Sequence, residues 1–228
     1  PPAREASGGD VAKRMQRVAA VYSGRPEVIA IGISTGGPPA LARMCPQLPA
    51  DLAAPVLIVQ HMPPKFTESL ADRLNSRCPL RVSEAQDCQP VERGHILIAP
   101  GGRQMKIERN DGGLVIRVTD DAPENNCKPA VDYLFRSVAH NCGHNSLGVV
   151  MTGMGSDGAA GIRQLDAAGA WTVAQDEETS LVYGMPQAAA RTGAVHHVAG
   201  RDQIPGLVAR LLEQGARTGA AVGAGTGR

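Results

Sequence analysis

The stretch Val28-Ile29-Ala30-Ile31-Gly32-Ile33-Ser34-Thr35-Gly36-Gly37 constrains this chain more than any other. An unbroken apolar run rich in β-branched residues reads as a strand buried on both faces, which is the pattern of a parallel sheet. The run breaks at glycines around one serine, Gly32 to Gly36, in a G-x-S-x-G pattern. Glycine flanks let the backbone turn sharply without a Cβ clash. Ser34 then stands as a candidate nucleophile at the carboxyl edge of the sheet, where open α/β folds place their ligands. The competing reading is a serine that caps the helix running through Pro39 to Met44.

The rest of the chain repeats the strand-then-helix rhythm. Pro55 to Gln60 is a second buried strand that stops at His61-Met62-Pro63-Pro64, and a helix follows over Thr67 to Ser76 with Phe66, Leu70 and Leu74 on one face. Arg81 to Ala85 and Ile96 to Ala99 read as short strands. Gln104-Met105-Lys106-Ile107 and Leu114-Val115-Ile116-Arg117 flank Asn110-Asp111-Gly112-Gly113, a hairpin with a turn suited to positive φ, read as an antiparallel excursion on the parallel sheet. Val131 to Ala139 is amphipathic, Ser146 to Met151 is a third buried strand, and Trp171 to Gln175 is another. A helix around Pro186 to Arg191, a strand over Ala194 to Val198 and a helix from Asp202 to Gln214 complete the series. The alternation predicts an α/β fold, a doubly wound and mainly parallel sheet in a Rossmann-like three-layer arrangement. Residues 1–26, rich in Pro, Gly, Ser and charge, read as a linker; 27–214 as the folded domain; 215–228 as a disordered tail.

Composition excludes several function classes. A net charge of +1 and 3% aromatic residues argue against a nucleic-acid-binding face and favour a small or peptide-like substrate. No apolar run approaches the roughly 20 residues of a membrane span, and the N-terminal residues lack a signal-peptide core, so a cytosolic location is expected. Five cysteines, Cys45, Cys78, Cys88, Cys127 and Cys142, are odd in number and form no C-x-x-C pair. That argues against a disulfide framework and a thiolate zinc site, and they read as free thiols.

Three polar residues end predicted strands: Ser34, His61 and Asp157. A histidine can take the proton of a serine hydroxyl and return it to a leaving group, and a carboxylate can hold the imidazole in one tautomer. Singly, His61 could bond to backbone and Asp157 could cap its own helix. The chain order Ser, His, Asp differs from the Ser, Asp, His order of α/β-hydrolases. A rival reading uses Gly153 to Gly158, which fits G-x-G-x-x-G between a strand and a helix, with Asp176 as a ribose-binding acid. Against this dinucleotide site, Asp157 would set a carboxylate in a turn meant to face a pyrophosphate. His140 and His144, as a possible ligand pair, fall where Gly143 and Asn145 end the helix, which favours a surface turn over a metal site.

Several long segments together resemble the catalytic domain of the chemotaxis protein-glutamate methylesterases of the CheB type. They are Ile31 to Gly37, Gln60 to Thr67, Ala99-Pro100-Gly101-Gly102, Pro129-Ala130-Val131-Asp132, Met151 to Gly161 and Gly184-Met185-Pro186, and the likeness spans about Val28 to Leu212. The resemblance implies a serine esterase that removes methyl groups from chemoreceptor glutamates and often deamidates receptor glutamines, with no metal or cofactor. Its nucleophile, base and orienting acid fall on Ser34, His61 and Asp157; its active-site threonine and methionine fall on Thr35 and Met154. It also implies partners: the helical cytoplasmic region of methyl-accepting receptors, and a receiver domain upstream of the linker. One departure is Ser156, where an asparagine is common.

Overall fold

The structure, a computed structural model, describes residues 26–223, with side chains described for 26–214. The linker expected over 1–26 therefore lies outside the described residues except for Pro26. Strands β1 (Val28–Ile33), β2 (Val56–Gln60), β3 (Arg81–Glu84), β4 (His95–Ile98), β7 (Ser146–Val150), β8 (Trp171–Gln175) and β9 (His197–Ala199) form one seven-stranded sheet in the order β3-β4-β2-β1-β7-β8-β9. Every pairing in it is parallel. The helices are α1 (Gly37–Met44), α2 (Phe66–Asn75), α3 (Val131–Cys142), α4 (Ala159–Ala167), α5 (Gly184–Arg191) and α6 (Ile204–Gly223).

Period-two alternation along each strand divides the core into two layers. Ile29, Ile31 and Ile33 of β1 pack with Leu41 and Met44 of α1, Leu70 and Leu74 of α2, and Ile204, Val208 and Leu211 of α6. Val28 and Ala30 point the other way, to Val131, Leu134 and Phe135 of α3, Ile162 and Leu165 of α4, and Met185 of α5. Helices thus cover both faces, as a sheet of all-apolar parallel strands requires. The chain winds outward in opposite directions from β1, toward β2 on one side and β7 on the other. Such a switch in strand order opens a crevice at the carboxyl ends of the central strands.

The expected hairpin, β5 (Gln104–Asn110) with β6 (Gly113–Thr119), forms a two-stranded antiparallel sheet of its own beside the parallel one. It lies against α3: Ile107 N–H donates to Ser137 Oγ at 3.1 Å, and Asn141 Nδ2 donates to Ile107 O at 3.0 Å. Burying Met105, Ile107 and Ile116 there uses the hairpin's apolar face, while the main sheet keeps β3 and β9 at its edges. The last helix runs to Gly223, beyond the end expected at Gln214, so the backbone of the expected tail is helical that far, and 224–228 lie outside the described residues. Alanines among the glycines of this stretch favour helix, a preference that a burial-based reading discounts. None of the described helices is long and apolar enough to cross a membrane.

Gly32 is a point of close approach between β1 and α3. A Cβ there would sit 2.3 Å from Val131 Cγ1, at the first turn of α3. Gly32→Ala should therefore push the start of α3 off the sheet and lower stability by about 1–3 kcal/mol, the usual range for overpacking a core. A urea melt reads this directly; an unchanged midpoint would show that the helix yields at no cost.

Candidate active site

Ser34 and His61 continue the parallel ladder just past the strand ends. Ser34 N–H donates to Thr152 O at 2.9 Å and His61 N–H to Ile33 O at 3.2 Å, so the crevice brings together residues distant in sequence through backbone pairing alone. A tight turn follows, closed by Gly37 N–H to Ser34 O at 2.8 Å, with Gly36 left-handed at φ 82°. Gly36 is the N-cap of α1 and no side chain caps it. The capping reading of Ser34 is thereby excluded.

Two buried polar side chains lock these strand ends. Gln60 Nε2 donates to Ser34 O at 3.0 Å and to His61 O at 3.1 Å, tying the serine strand to the histidine strand. Its Oε1 occupies the space where a Cβ on Gly37 would stand, at 1.8 Å, so the glycine is needed there. On the other side, Thr152 Oγ1 donates to Thr35 O at 2.9 Å and accepts from Val182 N–H at 3.0 Å. That bond draws the 176–183 loop onto the serine turn.

His61 and Asp157 meet: Nε2 lies 2.7 Å from Asp157 Oδ2. Asp157 is buried, and its carboxylate does not cap the helix that follows it, whose N-cap is Gly158. It caps α3 instead, accepting from Val131 N–H at 2.7 Å and Asp132 N–H at 3.0 Å, while Asn125 Nδ2 donates to Oδ1 at 2.8 Å. Asp132 returns the arrangement by accepting Gly161 N–H, in the first turn of α4, at 2.6 Å. Each helix start is thus held by the acid of the other. Burial pushes the Asp157 carboxyl up, but the bonds from His61, both amides and Asn125 outweigh it and leave the group below its ordinary value. Asp132 has fewer such bonds and is held above it, by burial first and by the Asp157 charge as well.

With Nε2 turned to Asp157, Nδ1 is the ring nitrogen that the carboxylate leaves unengaged. Nδ1 faces Cys127 Sγ at 3.7 Å, and among the described residues no hydrogen bond joins it to the Ser34 hydroxyl. Catalytic bonds in ligand-free sites are often long and tighten on substrate binding. Thr35 is exposed beside Ser34, and Met154 is 77% exposed on the glycine loop. Among the described residues no acceptor lies on the Met154 N–H, while Gly153 on one side has its N–H on Val182 O and its O on Met185 N–H. Gly153 is fixed by packing: a Cβ there would lie 2.8 Å from Ser34 Cβ and 2.3 Å from Met185 Sδ.

The dinucleotide reading does not survive this geometry. The turn expected to face a pyrophosphate packs on Met185 and Ser34, its acid points inward to His61, and Asp176 accepts from Thr179 N–H and Oγ1 at 3.0 and 2.6 Å, closing its own loop. His140 lies on α3 and His144 beyond its end, and neither belongs to the ligand-like cluster found among the described residues. Sequence reading missed Gln60 and Thr152 as clamps, Asn125 and Asp132 as partners of the acid, and Cys127 as a neighbour of the base. Asp132 sits in one of the segments that carried the family resemblance; the Asn125-Asn126 pair was a visible turn signal.

Residues 29–208 match the family model described as CheB methylesterase. Two protein-glutamate methylesterase/protein-glutamine glutaminases are similar: one from Desulfotalea psychrophila, 48% identical over 81% of this chain and 51% of its own length, and one from Salmonella typhimurium, 46% identical over 78% and 51%. The chain thus spans about half the length of the curated relatives it matches. A solved structure, the Thermotoga maritima CheB methylesterase catalytic domain, is similar with TM-score 0.80 at 36% identity, over 82% of this chain and 98% of that one.

Removing the carboxylate should cost stability as well as geometry. Asp157→Ala leaves two buried amides without an acceptor, at roughly 1–3 kcal/mol each, so denaturation should show a loss on the order of 2–4 kcal/mol. A group whose folded value is lowered contributes its stability above the ordinary carboxylate range of about 4, and loses it as pH falls through the folded value. The stability gap between the parent and Asp157→Asn should therefore narrow on acidification below about pH 4; a gap that widened there would contradict the assignment.

Proposed function

The chain belongs to the CheB methylesterase family, and from that premise we propose that it hydrolyses glutamate methyl esters on chemoreceptors, and deamidates receptor glutamines, by serine catalysis. The observation that carries the reading is the His61 ring, held by Asp157 at Nε2, which leaves Nδ1 turned from the acid, with Cys127 Sγ beside it. The acid keeps the ring proton on Nε2, which leaves the Nδ1 lone pair to act as base. The ring is thus used in the opposite sense to the serine-protease arrangement, in which Nδ1 faces the acid.

Ser34 Oγ attacks the γ-carbonyl as its proton passes to Nδ1, and the carbonyl π electrons become an oxyanion. The Met154 N–H, which has no acceptor among the described residues, is the donor we assign to that oxyanion, with Thr35 positioning the substrate. Collapse breaks the C–O bond as Nδ1–H protonates methoxide, releasing methanol and leaving acyl-Ser34; with glutamine the leaving group is ammonia. Water, deprotonated by the same nitrogen, then frees the glutamate. No step calls for a cofactor.

The surroundings favour a protein surface as substrate. Phe66, Met154 and Leu181 are 63%, 77% and 72% exposed; Phe66 opens α2, and the other two lie on the loops that follow β7 and β8. Apolar exposure grouped around a site marks a docking surface, which fits the apolar and small residues of a receptor helix in the cytoplasm better than a small acid. The curated relatives are about twice as long as the stretch they share with this chain, which leaves room for the receiver domain that the family resemblance implies as regulator.

Ser34→Ala should abolish methanol release from methylated receptor membranes, by up to about a millionfold, with an unchanged melting curve; release near the parent rate would end the serine mechanism. Leu181→Ser and Phe66→Ser should raise KM on receptor membranes severalfold while leaving kcat on a small methyl ester as it is. Equal losses on both substrates would instead place these residues in the chemistry.

A further inference from the structure

Cys127 takes no part in the proposed reaction. Its Sγ is 3.7 Å from His61 Nδ1, and His61, Cys127 and Asp157 are a group among the described residues whose ligand atoms lie within 4.8 Å of one another. A tetrahedral zinc ion with bonds of about 2.0–2.1 Å to nitrogen and 2.3 Å to sulfur separates the two donors by about 3.6 Å. The thiol and the imidazole are already at that spacing.

The surroundings of the pair are those of a metal-binding histidine. A ligating imidazole ordinarily donates its other N–H to a carboxylate, which fixes its tautomer and raises its basicity; Nε2 is 2.7 Å from Asp157 Oδ2. Both Asp157 oxygens are taken by donors, so the acid serves as the outer partner and leaves two positions of a tetrahedron to water or substrate. Cys127 is held firmly. Its N–H and O pair with Glu124 O and N–H at 2.8 and 3.1 Å, across a turn in which Asn125 and Asn126 are left-handed at φ 53° and 59°. The Asn125 side chain bonds the same Asp157 carboxylate, so thiol, imidazole and acid belong to one rigid unit.

We propose that Cys127 Sγ and His61 Nδ1 form a binding site for a thiophilic divalent cation, zinc above all, and that the bound cation silences the enzyme by occupying the lone pair that Ser34 requires. On binding, the thiol proton leaves to solvent, a Zn–S and a Zn–N bond form, and nothing is oxidised. Binding itself is independent of the esterase reading; only the silencing rests on it.

Zinc chloride titrated calorimetrically into chelator-treated protein, in two buffers of different ionisation enthalpy, should show one site with net proton release, reversed by EDTA. Cobalt in place of zinc should give a thiolate-to-metal charge-transfer absorption. Cys127→Ser should abolish that absorption and weaken zinc binding by more than the roughly 10–100-fold that an outer partner is worth, and His61→Gln should do the same independently. Ser34→Ala should still bind zinc, which separates this proposal from the esterase reading: binding with no hydrolase activity under any condition sinks only the latter. Zinc should inhibit methanol release by the parent, with EDTA restoring it, and Cys127→Ser should require far more zinc for the same fractional inhibition. Undetectable binding, or binding undiminished in Cys127→Ser, overturns the site; binding through Cys127 with an unaltered rate overturns the silencing.

Discussion

The Asp157 carboxylate is the interaction on which the rest of the site depends. It is almost wholly removed from water, at a cost that for a buried ion amounts to several kcal/mol. Four donors answer it: His61, Asn125 and the first two amides of α3. Charge-assisted bonds of this kind contribute about 1.5–3 kcal/mol each, so four are enough to keep the group ionised in the interior. The favourable field at the start of a helix adds to them. Because two of the donors are backbone of a helix packed on the sheet at Gly32, the acid's position is set by core packing and not by its own loop. The imidazole inherits that precision through one bond.

The same economy governs Ser34. β2, β1 and β7 are neighbours, and their ladder continues one residue past the ends of β1 and β2 and two past the end of β7 to align Ser34, His61 and Thr152. Gln60 and Thr152 then use buried side-chain polar groups to hold the carbonyls that such a ladder leaves exposed at its end. Unpaired carbonyls in a buried crevice would be costly, so the clamps stabilise the fold and aim the site at once. What remains unclamped is the outer rim, where exposed Met154, Leu181 and Phe66 face the space a partner would fill.

Cys127 gives the site a second chemical character. An imidazole with one nitrogen on a carboxylate and the other against a thiol has the arrangement that a soft cation also selects. The proposed base and the proposed cation site therefore share one nitrogen, His61 Nδ1, and the neighbouring Cys127 is what distinguishes the second.

Much of this was legible in the residues. All-apolar β-branched strands can be buried only in a covered parallel sheet, which dictated the fold class, and polar residues just after such strands must lie at its carboxyl edge, which picked out Ser34, His61 and Asp157. The segments around them also carried the family likeness. Tertiary structure alone decided how the three are used: that Asp157 caps the helix beginning at Val131 and not its own, that His61 turns Nε2 to the acid, that the hairpin covers α3, and that Cys127 lies against the base. Local pattern reports which face of an element is apolar, because burial is periodic along the chain. It cannot report which polar atoms meet across gaps of 26, 66 or 96 residues, because those distances are set by the winding order of the strands and by the close approach that a glycine such as Gly32 permits.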